Sequence, residues 1–298
     1  MKYVLTPICL FCFSSSVIAN TESDYGVTLE AGATHNSELV VEEIDQRSAN
    51  GDLGRYLSLD LNGELTFQES FSVKAGYNIS DTDYQDTDDF DLTIQRLYGD
   101  ASYEFSGFTV GVNQHQILAD LAGQEFLDMD RSGIYLSKLL NNRIFIRSEY
   151  TTTNKEFDDL PDRNASNDAL GIDTYFFYNQ AKAFFSVGYT SEDEQANASE
   201  LSYDGDVYRA TVSSKFGDND AHKLQLKWRY YNRDYQGLLP ELNTPRNDER
   251  HAVTFSWDYY FTPEFALATQ LQRTTSDSNV ESADYTANEI ELLLRLEL

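Results

Sequence analysis

Carboxylates grouped within one short stretch are the side chains of this sequence best suited to binding chemistry. The densest group lies between residues 81 and 91 and comprises Asp81, Asp83, Asp86, Asp88 and Asp89. Clustered carboxylates are ligands for hard cations, so these residues are candidate ligands for Ca²⁺ or Mg²⁺. The stretch lacks the glycine and the terminal glutamate of an EF-hand loop. An acidic surface in contact with water explains the same pattern, and both interpretations stay open.

Basic residues form a second group, and most of them occupy every-second positions that would lie on one face of a strand. The candidates are Lys223, Lys227, Arg229, Arg233, Arg209 and Arg147. The functional interpretation is that they line a pathway for a polar or anionic passenger. The structural interpretation is that they form cross-strand ion pairs with acidic residues and rigidify a wall. The same pattern assigns further basic residues to this inner face, namely Arg96, Arg143, Lys182, Arg273 and Arg295. It also places acidic residues there, such as Asp60, Glu64, Glu149, Asp173 and Asp258.

The sequence offers no strong catalytic constellation. Its histidines are His35, His115, His222 and His251. None of them belongs to a metal-ligand spacing, and the chain has no phosphate-binding loop or nucleophile elbow. His115 and Asn113 share a parity and Ser102 lies on the neighbouring segment, but the alternation places this set on the wrong face for a membrane lipase. We therefore expect that the protein is not an enzyme and needs no cofactor.

Apolar and polar residues alternate through nearly every regular segment after residue 25, which is the signature of strands. Between Leu57 and Phe67 the odd positions are almost all apolar and the even positions are nearly all polar. The alternation predicts about fourteen strands, at residues 25–35, 55–67, 70–81, 91–105, 108–117, 127–140, 143–154, 168–178, 181–191, 205–216, 221–236, 250–261, 264–275 and 285–298. The candidate residues above therefore belong to strands and to the loops that join them.

The predicted connections alternate between short turns and longer loops. The long ones span residues 36–54, 82–90, 118–126, 155–167, 192–204, 237–249 and 276–284. An even number of antiparallel strands with turns at one end and loops at the other is typical of outer-membrane β-barrels. Phenylalanines flank the turns and tyrosines gather near the loops, as two interfacial girdles require.

The predicted fold class is therefore all-β, a transmembrane antiparallel outer-membrane β-barrel. The sheet must close, because lipid leaves no partner for an open edge, and both termini are expected in the periplasm. Fourteen strands enclose more space than the eight that side chains can fill, so we expect a polar and partly wet lumen.

Composition and the first residues bound the location of the protein. The chain has 298 residues with 50 acidic and 22 basic side chains, and a net charge of −28 excludes nucleic acid as a partner. Residues 1–19 have the features of a secretory signal peptide and contain both cysteines, Cys9 and Cys12. Residues 20–298 are then the barrel. We expect it in the cell outer membrane, in contact with lipid, lipopolysaccharide and the barrel-assembly machinery.

Several segments resemble the barrel domain of the surface lipoprotein assembly modifiers, the Slam family. They are residues 188–194, 203–205, 224–235, 246–251 and 284–286. The resemblance implies a 14-stranded barrel that helps lipoproteins or other exported proteins reach the cell surface. Members of that family commonly carry a tetratricopeptide-repeat domain before the barrel, whereas here the first strand is expected within about ten residues of the cleavage site. Either a separate periplasmic repeat protein supplies that part, and is then a partner besides an exported lipoprotein, or the barrel has a different role.

Three functions are compatible with these features. The first is export or surface display of a protein, as the resemblance implies. The second is passive diffusion of small polar solutes, as in a porin. The third is a structural or adhesive barrel whose acidic loops bind divalent ions.

Overall fold

The computed structural model of the chain describes residues 21–239 and 243–298. The predicted signal peptide, residues 1–19, lies outside the described residues and stays a prediction. Within the described residues there are sixteen strands. They are β1 (Thr21–Asn36), β2 (Leu39–Val41), β3 (Gln46–Ser48), β4 (Asp52–Phe67), β5 (Phe71–Tyr84), β6 (Leu92–Phe105), β7 (Phe108–Leu121), β8 (Gln124–Leu140), β9 (Ile144–Phe157), β10 (Ala165–Tyr178), β11 (Ala183–Ala196), β12 (Tyr203–Phe216), β13 (His222–Leu239), β14 (Thr244–Tyr260), β15 (Phe265–Ser278) and β16 (Tyr285–Glu297).

The barrel consists of β1 and β4–β16, each antiparallel to its neighbours, and it closes where β1 pairs with β16. The closing register runs from Thr28 opposite Glu297 to Asn36 opposite Glu289. The predicted closed barrel of fourteen strands is thus confirmed. We call the end that holds residues 37–51 and 85–91 the loop end, and the end that holds both termini the turn end.

Side-chain alternation gives the closed sheet two chemically different faces. On β4, Leu57 and Leu61 are 47% and 40% exposed on the outer face, whereas Asp60 and Glu64 belong to the opposite parity and face the lumen. Residues that alternate along a strand lie on opposite faces. The outer face can therefore meet lipid while the inner face stays polar.

The strands extend further toward the loop end than the alternation predicts. The predicted long connection at 118–126 is wrong, because β7 and β8 are joined by a turn of Ala122 and Gly123. Their φ angles of 52° and 72° suit the tight turn of a two-residue hairpin. Near this turn the outward residues of β8, Asp128 and Asp130, are polar. The apolar–polar alternation therefore stops although the strand continues.

The helical segments of the described chain are single 3₁₀ turns of three residues, such as Glu42–Ile44 and Asp88–Phe90. No helix in residues 21–239 or 243–298 has the length and apolar character needed to cross a membrane.

Candidate functional site

The first connection of the barrel folds into the lumen and spans its loop end, from β14 and β16 to β6–β9. Residues 37–51, which we call the plug, contain the short hairpin of β2 and β3. Leu39 and Val41 of the plug are 2% and 8% exposed and form one cluster with Phe90. Ile44 packs against both this cluster and a second one formed by β7, β8 and β9. The plug is thus held by apolar contacts inside a mostly polar bore.

The wall that receives the plug is apolar where the rest of the lumen is polar. Its inward residues are Leu92, Ile94, Ala119, Leu121, Leu127, Met129 and Phe157. They lie at the loop ends of β6–β9, on the face that elsewhere carries charged and hydroxyl groups. Burial of a leucine or valine side chain stabilises a contact by about 1.5–3 kcal/mol. This patch therefore specifies where the plug docks.

Asp45 anchors the tip of the plug to two arginines. Arg246 donates from Nη2 and Nη1 to the two Asp45 oxygens at 2.8 and 2.9 Å. Arg163 donates to Asp45 Oδ2 at 2.7 Å. Burial raises the pKa of Asp45, but the hydrogen bonds and charges of these guanidinium groups outweigh it and leave the pKa below its usual value. Asp45 is therefore a carboxylate that joins the plug to β14 and to the connection after β9.

Asp45 also has the backbone conformation of a turn. Its φ of 55° and ψ of 28° lie in the left-handed region and end the 3₁₀ turn Glu42–Ile44. Aspartate tolerates this region better than most residues with a side chain. The conformation and the two ion pairs together aim the carboxylate at the wall.

Glu42 forms a second anchor one turn earlier. It makes an ion pair with Arg250 of β14 and accepts a hydrogen bond from Tyr285 Oη at 2.9 Å. The plug is thus tied to β14 and β16 in addition to the apolar patch.

A charged network continues along the wall beside the plug. Lys155 pairs with Glu194 at 2.7 Å, and Tyr203 donates to the same carboxylate at 3.1 Å. The guanidinium of Arg233 lies 4.5 Å from the centroid of the Tyr203 ring. Cation–π contacts and ion pairs of this kind hold long side chains in one orientation. The plug therefore faces an ordered wall.

The six candidate basic residues of the sequence analysis, which we call the basic strip, lie on lumen-facing positions of β9, β12 and β13, and several of them are paired. Arg209 contacts Asp173 at 3.1 Å, and Arg147 contacts Glu149 at 3.0 Å. The remaining pairs join Arg233 to Glu192 at 3.6 Å and Lys223 to Asp258 at 3.7 Å. Within the described residues, Lys227 and Arg229 have no carboxylate within 4.0 Å. The strip thus combines a cross-strand framework with free cations.

Three basic residues do not lie where the sequence pattern assigns them. Arg273 shares its parity with Leu271, which is 43% exposed on the outer face, so the prediction that it lines the interior is wrong. Arg143 and Lys182 lie in the turns before β9 and β11 rather than on the wall. Lys182 pairs there with Asp220 at 2.8 Å. Arg131, which the irregular pattern of β8 concealed, does lie on the inward face.

The candidate cation ligands are dispersed by the sheet. Asp81 accepts a hydrogen bond from Thr93 at 2.7 Å, and Asp83 makes an ion pair with Arg55. Asp86 continues from β5, whereas Asp88 and Asp89 form the 3₁₀ turn before β6. The described part of the chain holds no group of three or more acidic, histidine or cysteine side chains placed around one ion. The cation site stays a prediction from sequence alone.

Sequence reasoning missed the plug because residues 36–54 were expected to form an external loop. Two signals were present in the sequence. The run Leu39–Val41 is apolar although it lies in a predicted loop, and Leu92 and Ile94 are apolar on a parity that is otherwise polar. An apolar segment in a loop and an apolar patch on a lumen face are complementary.

Comparison with known proteins gives one family and a set of similar folds. The family model described as surface lipoprotein assembly modifier matches residues 24–293. No curated protein matches the chain significantly. An anion-selective porin from Comamonas acidovorans superimposes with a TM-score of 0.58 at 8% identity, covering 94% of this chain and 100% of the porin. Outer-membrane expressed OmpT of Vibrio cholerae gives 0.54 at 10% identity, covering 96% and 99%. These two structures are similar in fold.

Proposed function

The chain belongs to the surface lipoprotein assembly modifier family, and from this premise we propose that its barrel assists the surface display of lipoproteins in the outer membrane. The family match spans the barrel from β1 to β16. The observation that carries the proposal is the plug. A lumen closed by a segment of the same chain suits a passage that opens for a particular passenger.

The plug is held by noncovalent contacts that a passenger could replace. Its apolar contacts involve a few side chains, and its ion pairs with the rest of the chain join Asp45 and Glu42 to three arginines. Removal of one partner from a buried ion pair leaves the other charge uncompensated, so the Asp45 anchor favours the docked plug without a covalent tie. A passenger that competes for these arginines would shift the plug toward an open arrangement.

The orientation follows from the same proposal. The turn end, with both termini, faces the periplasm, and the loop end with the plug faces the outside, as in barrels with short periplasmic turns. The residues before β1 act as the signal that exports the chain. A lipoprotein enters from the turn end and meets the paired and free cations of the strip before it reaches the plug.

We propose no catalytic step for this barrel. His35, His115, His222 and His251 lie on four different strands. Asn113, which shares a face with His115, donates to Glu149 at 2.6 Å and so belongs to the wall framework. The groups that the function requires are those that bind and release the plug.

Deletion of the gene tests the proposal in the bacterium that carries it. We expect at least one lipoprotein to disappear from the cell surface, as measured by surface biotinylation and mass spectrometry, while its total amount stays the same. The wild-type gene supplied in trans restores it. A surface proteome that is the same in the deletion strain and in the parent rejects the proposal.

The passive porin is the alternative function that the plug opposes. A porin conducts steadily when inserted in a planar bilayer, whereas a plugged barrel stays closed most of the time. Steady conductance of the wild-type protein, with the plug intact, would favour the diffusion channel.

A further inference from the structure

The lumen contains arginines that no acidic residue neutralises. Within residues 21–239 and 243–298, Arg96, Arg131 and Arg229 have no carboxylate within 4.0 Å, although most other inward cations are paired. They line one cavity of about 510 Å³ in the bore. In a chain with a net charge of −28, unpaired cations facing one cavity are a distinct feature.

Two of these arginines flank a histidine on adjacent strands. His115 of β7 lies directly opposite Arg131 of β8, and also opposite Tyr98 of β6. Arg96 precedes Tyr98 by two residues, so it is the diagonal neighbour of His115 on the same face. Directly opposed side chains have Cβ atoms about 4.5–5.5 Å apart and diagonal ones about 7–8 Å apart. The three side chains therefore share one patch of the wall, and all three line the same cavity.

Tyr98 orients two of the donors. The Arg96 guanidinium lies 5.3 Å from the centroid of the Tyr98 ring. The same ring stacks on His115, with centroids 5.9 Å apart and planes inclined by 25°. The Nε of Arg96 is shielded from solvent and has no hydrogen-bond partner in the described residues. A buried donor without a partner is costly, and an acceptor from a ligand removes that cost.

The carboxylates nearest to this group are already engaged. Asp100 accepts from Tyr135 Oη at 2.9 Å. Glu149 pairs with Arg147 at 3.0 Å and also accepts from Asn113 at 2.6 Å. Neither carboxylate forms an ion pair with Arg96 or Arg131 in the described residues, so both guanidinium groups keep donors for a ligand in the cavity that they line.

We propose that Arg96, His115 and Arg131 form a binding site for a phosphate group. A guanidinium presents a planar fork of donors that matches phosphate oxygens, and these hydrogen bonds are charge-assisted. A tetrahedral dianion accepts from three directions at once, which suits donors on three neighbouring strands better than a planar monoanionic carboxylate does. The site stands apart from the plug anchors and does not depend on the proposed function.

Calorimetric titration of the folded full-length barrel with inorganic phosphate tests the site. The titrations are made at constant ionic strength in chloride. We expect saturable binding of one phosphate, weakened about tenfold by Arg131→Gln and by Arg96→Gln. Arg131→Lys retains the charge without the fork and gives a smaller loss. Arg273→Gln is the matched control, because it removes an arginine from the outer face and leaves the affinity unchanged.

Other ligands and controls keep the result decisive. Glycerol 3-phosphate carries the same group as an ester. It is expected to bind like inorganic phosphate if the site recognises the phosphate group of a larger molecule. Binding of inorganic phosphate alone restricts the site to the free ion. Acetate is expected to bind at least tenfold more weakly. Equal loss of affinity in Arg273→Gln and Arg131→Gln, equal binding of acetate, or no saturable binding to wild type overturns the proposal. Heat-modifiable migration on gels verifies that each variant is folded.

Discussion

Asp45 is the side chain through which the plug is most directly tied to the wall. It receives hydrogen bonds from Arg246 and Arg163, whose side chains are 6% and 24% exposed. Arg246 also binds Asp248 at 2.7 Å, so it keeps one carboxylate partner if Asp45 is lost. Arg163 has Asp45 as its ion-pair partner and otherwise donates to the backbone oxygen of Glu43. Loss of the Asp45 charge therefore frees the connection after β9 more than it frees β14.

Replacement of Asp45 by asparagine tests this anchor. We expect Asp45→Asn to weaken docking of the plug by about 1–3 kcal/mol, because Arg163 loses its ion-pair partner while Arg246 keeps Asp248. The measurement is the frequency of opening events in planar bilayers. Asp89→Asn is the matched control, since it removes one exposed aspartate from the next loop. Identical opening frequencies in the two variants would show that the Asp45 ion pairs do not hold the plug.

The pH dependence of the closed state has a defined sign. The pKa of Asp45 lies below its ordinary value of 3.8, because the arginines outweigh the effect of burial. Because its pKa is lowered, the Asp45 carboxylate stabilises the closed state at any pH above its ordinary pKa. That stabilisation is lost as the pH falls through the lowered pKa. We expect bilayer recordings to show an equally closed lumen between about pH 5 and pH 8 and more frequent opening only in stronger acid. Opening on a rise from about pH 6 to pH 8 contradicts this assignment.

At the scale of elements, the plug and the apolar ends of β6–β9 act as one unit. Leu39 is 2% exposed in the cluster with Val41 and Phe90. Replacement of a buried leucine by alanine removes its contacts and leaves a cavity. The plug is a short hairpin of two three-residue strands, and it has few other apolar contacts to compensate. Its docking should therefore respond strongly to this one side chain.

We expect Leu39→Ala to destabilise docking of the plug by about 2–4 kcal/mol. Limited trypsin digestion measures this, since Arg47 lies inside the plug and is cleavable when the plug is undocked. Cleavage after Arg47 should be faster in the variant than in wild type. Leu160→Ala, at a leucine 39% exposed in another connection, should leave the rate unchanged. Equal rates in all three proteins would mean that Leu39 does not hold the plug.

The strands could be predicted from the sequence because lipid imposes a strict alternation on them. On β4 the outward leucines and inward acids repeat every second residue, and this fixes both faces. Beyond the lipid the outer face becomes polar, as at Asp128 and Asp130, so the strand ends there could not be predicted. The plug depends on contacts between residues 37–51 and strands far along the chain, which periodicity does not report.

At the scale of the whole molecule, the two faces of the wall differ in charge, because the lumen holds most of the cations together with many carboxylates. Outward positions near the loop end carry acidic groups such as Asp83, Asp130 and Asp193, whereas most cations face the lumen. Paired arginines such as Arg209 stiffen the wall, and unpaired ones such as Arg229 leave positive charge in the bore. An acidic exterior around a lumen with free cations suits a passenger that carries negative groups.

Site-specific photocrosslinking in growing cells tests most directly whether a lipoprotein passes through this lumen. A benzophenone amino acid replaces Tyr231, which lines the cavity on β13, or Tyr230, the preceding residue, which faces outward. We predict that a lipoprotein is captured from position 231 and not from position 230, and that capture at 231 increases in the Asp45→Asn background. Equal capture at both positions, or normal surface display without any capture at 231, would contradict passage through the barrel.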